Sequence, residues 1–116
     1  MSLDICSAGM KASGTDKKIL AYNAGNAAFA MQNYPSAENW YSMAISADGF
    51  YSTPVLNRAN AKLNQKKYME SVEDYKKYLM MEPNDPQYEQ ICILISLIEE
   101  QMEADKLAEQ ERLEKE

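Results

Sequence analysis

Two consecutive stretches of this chain match each other when one is shifted along the other by 34 residues. The stretches are residues 18–51 and 52–85, and five positions are identical after the shift. A repeat of this length is typical of folds in which a small unit stacks on copies of itself, because one unit alone cannot bury its apolar face. The identical pairs are Asn23 and Asn57, Asn26 and Asn60, Ala27 and Ala61, Tyr34 and Tyr68, and Tyr41 and Tyr75.

Each repeat carries the signals of two helices joined by a short turn. Proline is tolerated in the first turn of a helix, and the pattern places Pro35, Pro54 and Pro86 at such positions. Thr15 and Asp16 are suited to cap the first helix. No segment shows the alternation of a strand over a useful length. The sequence predicts five helices, at about residues 17–31, 35–47, 53–65 and 68–81 and from residue 86 onward.

Small and aromatic residues recur at fixed places in the two repeats. Gly25 and Ala59 stand where the two helices of a hairpin would approach each other closely, and Ala37, Tyr41 and Tyr75 follow in the second helices. This pattern resembles the tetratricopeptide repeat family. The resemblance implies an all-α fold of helix hairpins stacked in a right-handed superhelix, with two repeats and a long C-terminal closing helix. It also implies a scaffold or adaptor that binds other proteins, and not an enzyme.

The resemblance covers the two repeats and the start of the fifth helix. We expect a flexible N-terminal lead at residues 1–14, followed by a repeat domain at residues 15–98, in which the closing helix begins at residue 86. A charged helical extension is predicted at residues 99–116. No third complete repeat is signalled, because the position one period after Tyr75 is a glutamate.

The composition excludes several classes of function. With 12 basic and 18 acidic residues, the net charge is −6, which disfavours binding to a nucleic-acid backbone. The chain has no histidine, so the usual neutral-pH base and the commonest metal ligand are missing, and its two cysteines lie far apart. We therefore predict no catalysis, no metal and no cofactor, and we expect a protein or a peptide as the partner.

Two further features bear on where the protein acts. The sequence contains no apolar run long enough to span a membrane. It also shows no secretory signal at its start. The compartment stays undetermined by these features: the cytoplasm is the default expectation, and the cell envelope is expected if a signal sequence has been removed.

Asparagines recur in the first helix of each repeat. Asn23 and Asn26 are three residues apart and share a helix face, and Asn57 and Asn60 repeat the arrangement. In the family that the sequence resembles, these helices line the inner, concave wall, where amides would bind the main chain of a peptide or helix without needing charge. An alternative is that they brace neighbouring turns. The predicted groove residues are Tyr22, Asn23, Asn26, Phe29, Leu56, Asn57, Asn60 and Asn64.

One subclass of that family grips the C-terminal carboxylate of heat-shock chaperones with two asparagines and several basic residues. Asn26 and Asn57 match the two asparagines of that pattern. Tyr22 stands at the first basic position, and residues 86–105 contain no lysine or arginine. The charged half of the clamp is thus absent, and we do not expect this chain to bind a chaperone tail.

The fifth helix is apolar around almost its whole circumference near its start. Closing helices of stacked repeats normally show a polar outer side. Either contact with the preceding hairpin buries most of the apolar surface, or an exposed strip remains for a homodimer or partner contact. Cys92 lies in this run and is predicted to be a buried thiol. The residues predicted for the contact are Ile91, Leu94, Ile95 and Ile98.

The chain has one tryptophan, Trp40. Its counterpart in the second repeat is Asp74, and an aspartate at that place predicts a position on the solvent side of the helix. A partner or the N-terminal lead would then cover the tryptophan.

Overall fold

Helices account for most of the chain. A computed structural model describes the backbone of residues 14–115 and the side chains of residues 17–114, so the predicted lead lies almost wholly outside the described residues. Within this part of the chain there are five helices and no strand, which confirms the all-α class of helical hairpin repeats. The helices are α1 (Gly14–Ala30), α2 (Tyr34–Ala47), α3 (Thr53–Asn64), α4 (Tyr68–Met81) and α5 (Tyr88–Lys115).

The two hairpin turns have the same backbone geometry. Gln32 follows α1 with a φ of 62°, and Lys66 follows α3 with a φ of 64°, so both lie in the left-handed region. After α1, the N–H of Asn33 donates to the carbonyl of Ala28 at 2.8 Å, and Lys67 makes the equivalent bond after α3 at 3.0 Å. These bonds satisfy carbonyls that the end of a helix would otherwise leave open. The repeat in sequence is therefore also a repeat in turn structure.

The helix starts differ from the predicted ones at two places. Helix α1 begins at Gly14, so Thr15 and Asp16 lie inside its first turn and do not precede it. Helix α5 begins at Tyr88, after a turn in which the Asp85 carboxylate accepts a hydrogen bond from the N–H of Gln87 at 2.7 Å. Asp85 thus organises the turn before α5, and the proline that follows it lies in the turn and not in the helix.

Each helix packs against its neighbours in the chain: α1 on α2, α2 on α3, α3 on α4, and α4 on α5. The main core lies where α5 covers the second hairpin. Burial of these apolar side chains is the principal force that holds α5 in place. The buried members are Val55, Ala59, Val72, Tyr75, Tyr78, Leu79, Ile91, Ile95 and Ile98.

This core corrects the predicted contact strip on α5. Ile91, Ile95 and Ile98 are 6%, 7% and 4% exposed, and Leu94 packs against the same cluster as a half-buried residue. They face the second hairpin because α5 presents one side of its circumference to it. Ile91, Ile95 and Ile98 are core positions, so the four residues do not form an exposed strip for a partner. The exposed large apolar residues of α5 include Ile93, Leu97, Leu107 and Leu113.

The prediction of a buried thiol at Cys92 is wrong. Cys92 is an exposed free thiol, because it lies one step around the helix from the buried isoleucines. Trp40 is 36% exposed, in agreement with the predicted solvent-side position, but its counterpart Asp74, from which that position was inferred, is buried. Asp74 is held by Arg58, whose Nε and Nη2 each lie 2.8 Å from a carboxylate oxygen, and by Lys62 at 3.0 Å.

The crossing of α1 and α2 depends on Gly25. A methyl group added there would lie 2.6 Å from both Cδ1 and Cε1 of the Tyr41 ring. We expect Gly25→Ala to lower the free energy of unfolding by about 1–3 kcal/mol, the usual cost of overpacking a core. The measurement is urea unfolding followed by circular dichroism.

The matched control for this variant is Gly49→Ala. A methyl group at Gly49 would meet nothing within 4 Å. Alanine also restricts the unfolded chain, so this change is expected to be neutral or to stabilise by less than about 1 kcal/mol. Equal stability of the two variants would contradict the assignment of Gly25 as a close-packing position.

Candidate functional site

Two adjoining cavities lie between the first helices of successive units. The first has a volume of about 190 Å³ and lies between α1 and α3. The second has a volume of about 330 Å³ and lies between α3 and the start of α5. Asn60 lines both, so the two cavities are neighbours, and we call them together the asparagine groove. Its walls are Asn26, Phe29, Ala30, Tyr41, Asn57 and Asn60 in the first cavity, and Leu56, Asn60, Tyr75, Gln87, Gln90, Ile91 and Leu94 in the second.

A tyrosine hydroxyl fixes one asparagine in each hairpin. Tyr41 donates its hydroxyl hydrogen to Oδ1 of Asn26 at 2.7 Å, and Tyr75 donates to Oδ1 of Asn60. Burial raises the pKa of each of these two tyrosines to about 12, so both hydroxyls keep their proton at physiological pH. The asparagine amides are therefore held in one orientation by a permanent donor.

Asn57 joins the first hairpin to the second. Its Nδ2 donates to the hydroxyl oxygen of Tyr22 at 3.0 Å and lies 3.5 Å from Oδ1 of Asn26. The Tyr22 ring in turn packs against the Tyr41 ring, with 6.0 Å between the centroids. The polar side chains of the groove are thus part of the contact between the two hairpins, as the bracing alternative predicted.

Bracing uses only one end of each amide. The Oδ1 atoms of Asn26 and Asn60 accept bonds, and the Nδ2 atom of Asn57 donates them. The opposite ends, Nδ2 of Asn26, Oδ1 of Asn57 and Nδ2 of Asn60, have no partner among the described residues. No buried side-chain nitrogen or oxygen in that part of the chain lacks a hydrogen bond, so these free ends face solvent. The groove therefore presents a donor, an acceptor and a second donor.

The predicted groove residues divide into two groups. Asn26, Phe29, Leu56, Asn57 and Asn60 line the cavities, and Tyr22 supports Asn57 from behind. The remaining two, Asn23 and Asn64, are exposed and line neither cavity. The amide of Asn64 donates to the carbonyl of Asn60 in its own helix at 2.9 Å.

Sequence reasoning missed four groove residues that carry hydrogen-bonding groups. Tyr41 and Tyr75 were identified only as recurring residues of the second helices, yet they orient the asparagines. The signal was available, because Asn26 with Tyr41 and Asn60 with Tyr75 are both among the positions that repeat identically. The other two, Gln87 and Gln90, belong to no repeated pair and carried no comparable signal.

The groove is uncharged. None of the described residues that line its two cavities is an aspartate, glutamate, lysine or arginine. Two basic side chains on the first helices of the hairpins are engaged in ion pairs: Lys18 pairs with Asp48 at 2.6 Å, and Arg58 is held by Asp74. The groove thus offers neutral hydrogen-bonding groups between apolar walls.

Among the described residues, no three His, Cys, Asp or Glu side chains come together in a way that would hold a metal ion. None of the described helices combines the length and apolar character needed to cross a membrane.

Comparison with known proteins gives a structural likeness. No family model matches this chain, and no curated protein matches it. Among solved structures, it is similar to the second TPR domain of the human RPAP3 protein, determined by NMR in complex with the HSP70 peptide SGPTIEEVD. The two are 28% identical with a TM-score of 0.66, and the match covers 83% of this chain and 77% of that one.

The fold, the repeat and this likeness together define a helical-hairpin repeat protein of the interaction-scaffold class. Within that class, the chain is a tetratricopeptide-repeat-like protein.

Proposed function

We propose that this chain is a protein-interaction module that binds a peptide segment in the asparagine groove. The observation that carries the proposal concerns the side-chain amides of Asn26, Asn57 and Asn60. One end of each amide is hydrogen-bonded to a tyrosine hydroxyl, and the other end is free. Preorganised polar groups of this kind bind a ligand without the cost of being ordered first. The similar domain of RPAP3 was solved with a bound peptide, which supports a peptide as the ligand here.

The proposal predicts that two asparagines are essential for binding. We expect the double variant Asn26→Ala, Asn57→Ala to lose about 5- to 150-fold in affinity, because each of the two lost hydrogen bonds contributes about 0.5–1.5 kcal/mol. The measurement uses random nine-residue peptides displayed on phage, selected on the wild-type protein and then synthesised for fluorescence polarisation.

The matched control replaces the two asparagines that lie outside both cavities, Asn23→Ala with Asn64→Ala. This variant removes the same chemical groups from α1 and α3 and is expected to bind the selected peptides like the wild type. Circular dichroism of all three proteins checks that the helices remain. Undiminished binding by the Asn26→Ala, Asn57→Ala protein would show that the groove is not the site.

A second candidate function is self-assembly through α5. Ile93 and Leu97 lie one turn apart and are 60% and 56% exposed, so part of the helix stays apolar towards solvent. Glu100 follows on the same face, and two copies of that face would bring like charges together. Light scattering separates the candidates: a dimer of the 13.2 kDa chain that Leu97→Glu turns into a monomer would support self-assembly.

A further inference from the structure

We propose that the asparagine groove takes an uncharged, extended, internal stretch of polypeptide, and not an acidic chain end. This inference rests on the proposed function and names the class of ligand for the same groove. Three features of the groove support it: the absence of charge in its described walls, the order of its donors and acceptors, and the placing of its two cavities.

The first feature is charge. A carboxylate that leaves water needs a cation or several strong donors to offset the loss of hydration. The described walls of the groove supply amides and apolar groups only, and the whole chain carries a net charge of −6. An acidic segment would therefore meet repulsion on approach and no compensating charge on arrival. A neutral segment meets neither penalty.

The side chains next to the asparagines are uncharged as well. Tyr22 contacts Asn57, and its hydroxyl accepts a hydrogen bond from that amide. On the opposite wall the chain offers Gln87 and Gln90. The first lysine of α5, Lys106, lines a separate cavity beside Met69. The peptide in the RPAP3 complex ends in the sequence EEVD, and this groove lacks the charge to match such an end.

The second feature is the order of free groups along the groove. Asn26 offers a donor, Asn57 an acceptor and Asn60 a donor. The edge of an extended main chain alternates carbonyl acceptors and N–H donors, which is the complementary order. Every residue has a backbone carbonyl, and every residue except proline has a backbone N–H. The groove would therefore bind the backbone of a segment that continues in both directions.

The third feature, the placing of the two cavities, determines which side chains of the ligand fit the groove. Each cavity has an apolar wall, formed by Phe29 and Ala30 in the first and by Leu56, Ile91 and Leu94 in the second. An extended chain advances roughly 3.3 Å per residue, so its successive side chains can reach different cavities. A bound segment would therefore place one apolar side chain in each cavity, a few residues apart.

The test compares two phage libraries of the same random nine-residue length. In one, the random segment is flanked by chain on both sides, and in the other it ends in a free carboxylate. We expect the internal library to enrich on the wild-type protein, with selected sequences that lack acidic residues and carry two apolar residues a few positions apart. A selected peptide, synthesised with both ends blocked, is expected to bind with less than a twofold change in Kd between low and high salt, because no charge pair is screened.

The results that overturn the inference differ from those that overturn the proposed function. Enrichment from the free-carboxylate library alone, or selected peptides rich in acidic residues that no longer bind the Asn26→Ala, Asn57→Ala variant, would keep the groove and refute its neutral, internal ligand. Peptides that bind that variant as well as the wild type would refute the groove itself. Absence of enrichment from both libraries would overturn the proposed function and this inference together.

Discussion

Replacing Ile95 with glutamate is expected to unfold or severely destabilise the second half of the molecule. Ile95 is 7% exposed and lies in the core that α5 forms with the second hairpin. The change removes a buried aliphatic side chain and puts an unpaired carboxylate in its place, so the free energy of unfolding should fall by at least about 3 kcal/mol. Urea unfolding followed by circular dichroism measures the loss.

The control lies two residues earlier on the same helix. Ile93 is 60% exposed, and Ile93→Glu is expected to change stability by no more than about 0.5 kcal/mol. The pair also tests the contact that the sequence predicted for Ile91, Leu94, Ile95 and Ile98. A well-folded Ile95→Glu protein that is monomeric where the wild type is dimeric would restore that contact and contradict the core described above.

Replacing Asp74 with alanine is expected to cost about 3–5 kcal/mol, the usual loss when one partner of a buried ion pair is removed. The Asp74 side chain is 6% exposed, and it neutralises Arg58 and Lys62, which are 17% and 12% exposed. Without the carboxylate, two cations would remain partly buried between α3 and α4. The measurement is the shift in the urea midpoint at unchanged slope.

The adjacent Glu73 supplies the control, since it is an exposed acidic residue of the same helix. Glu73→Ala removes the same formal charge and is expected to stay within about 0.5 kcal/mol of the wild type. A loss below about 1 kcal/mol for Asp74→Ala would mean that both basic side chains reach water without it, and that the buried pairing contributes little.

The repeat was sufficient to predict the helices, and α4 in particular was predicted at residues 68–81, as observed. The repeat could not predict the orientation of α5, because this helix has no counterpart in the two units. Seven of its early residues are apolar, and composition alone cannot tell which side meets the hairpin. That choice depends on the turn before α5, where the Tyr78 hydroxyl donates to the Asp85 carboxylate.

The groove was predicted in part, for a related reason. Spacing places Asn26 and Asn60 on the inner faces of their helices, but it cannot show that tyrosines of the following helices fix their amides. The burial of Asp74 was not predicted, because its partner has no equivalent in the first repeat: Arg58 corresponds to Ala24 there, and Asp74 to Trp40. The second repeat has both an arginine and an aspartate at positions where the first repeat has uncharged residues, and this difference could have indicated the buried ion pair.

The helices pack chiefly on their neighbours in the chain, from α1 on α2 through to α4 on α5. In such a stack, the local stability of one end depends little on the other end, because the two are connected only through a series of intervening contacts. An occupant of the groove would touch α1, α3 and the start of α5 at once. It would connect the first and last helices directly. Backbone amides of α1 and α5 would then be expected to become protected from hydrogen exchange together, and the distance between the two ends of the stack would be fixed.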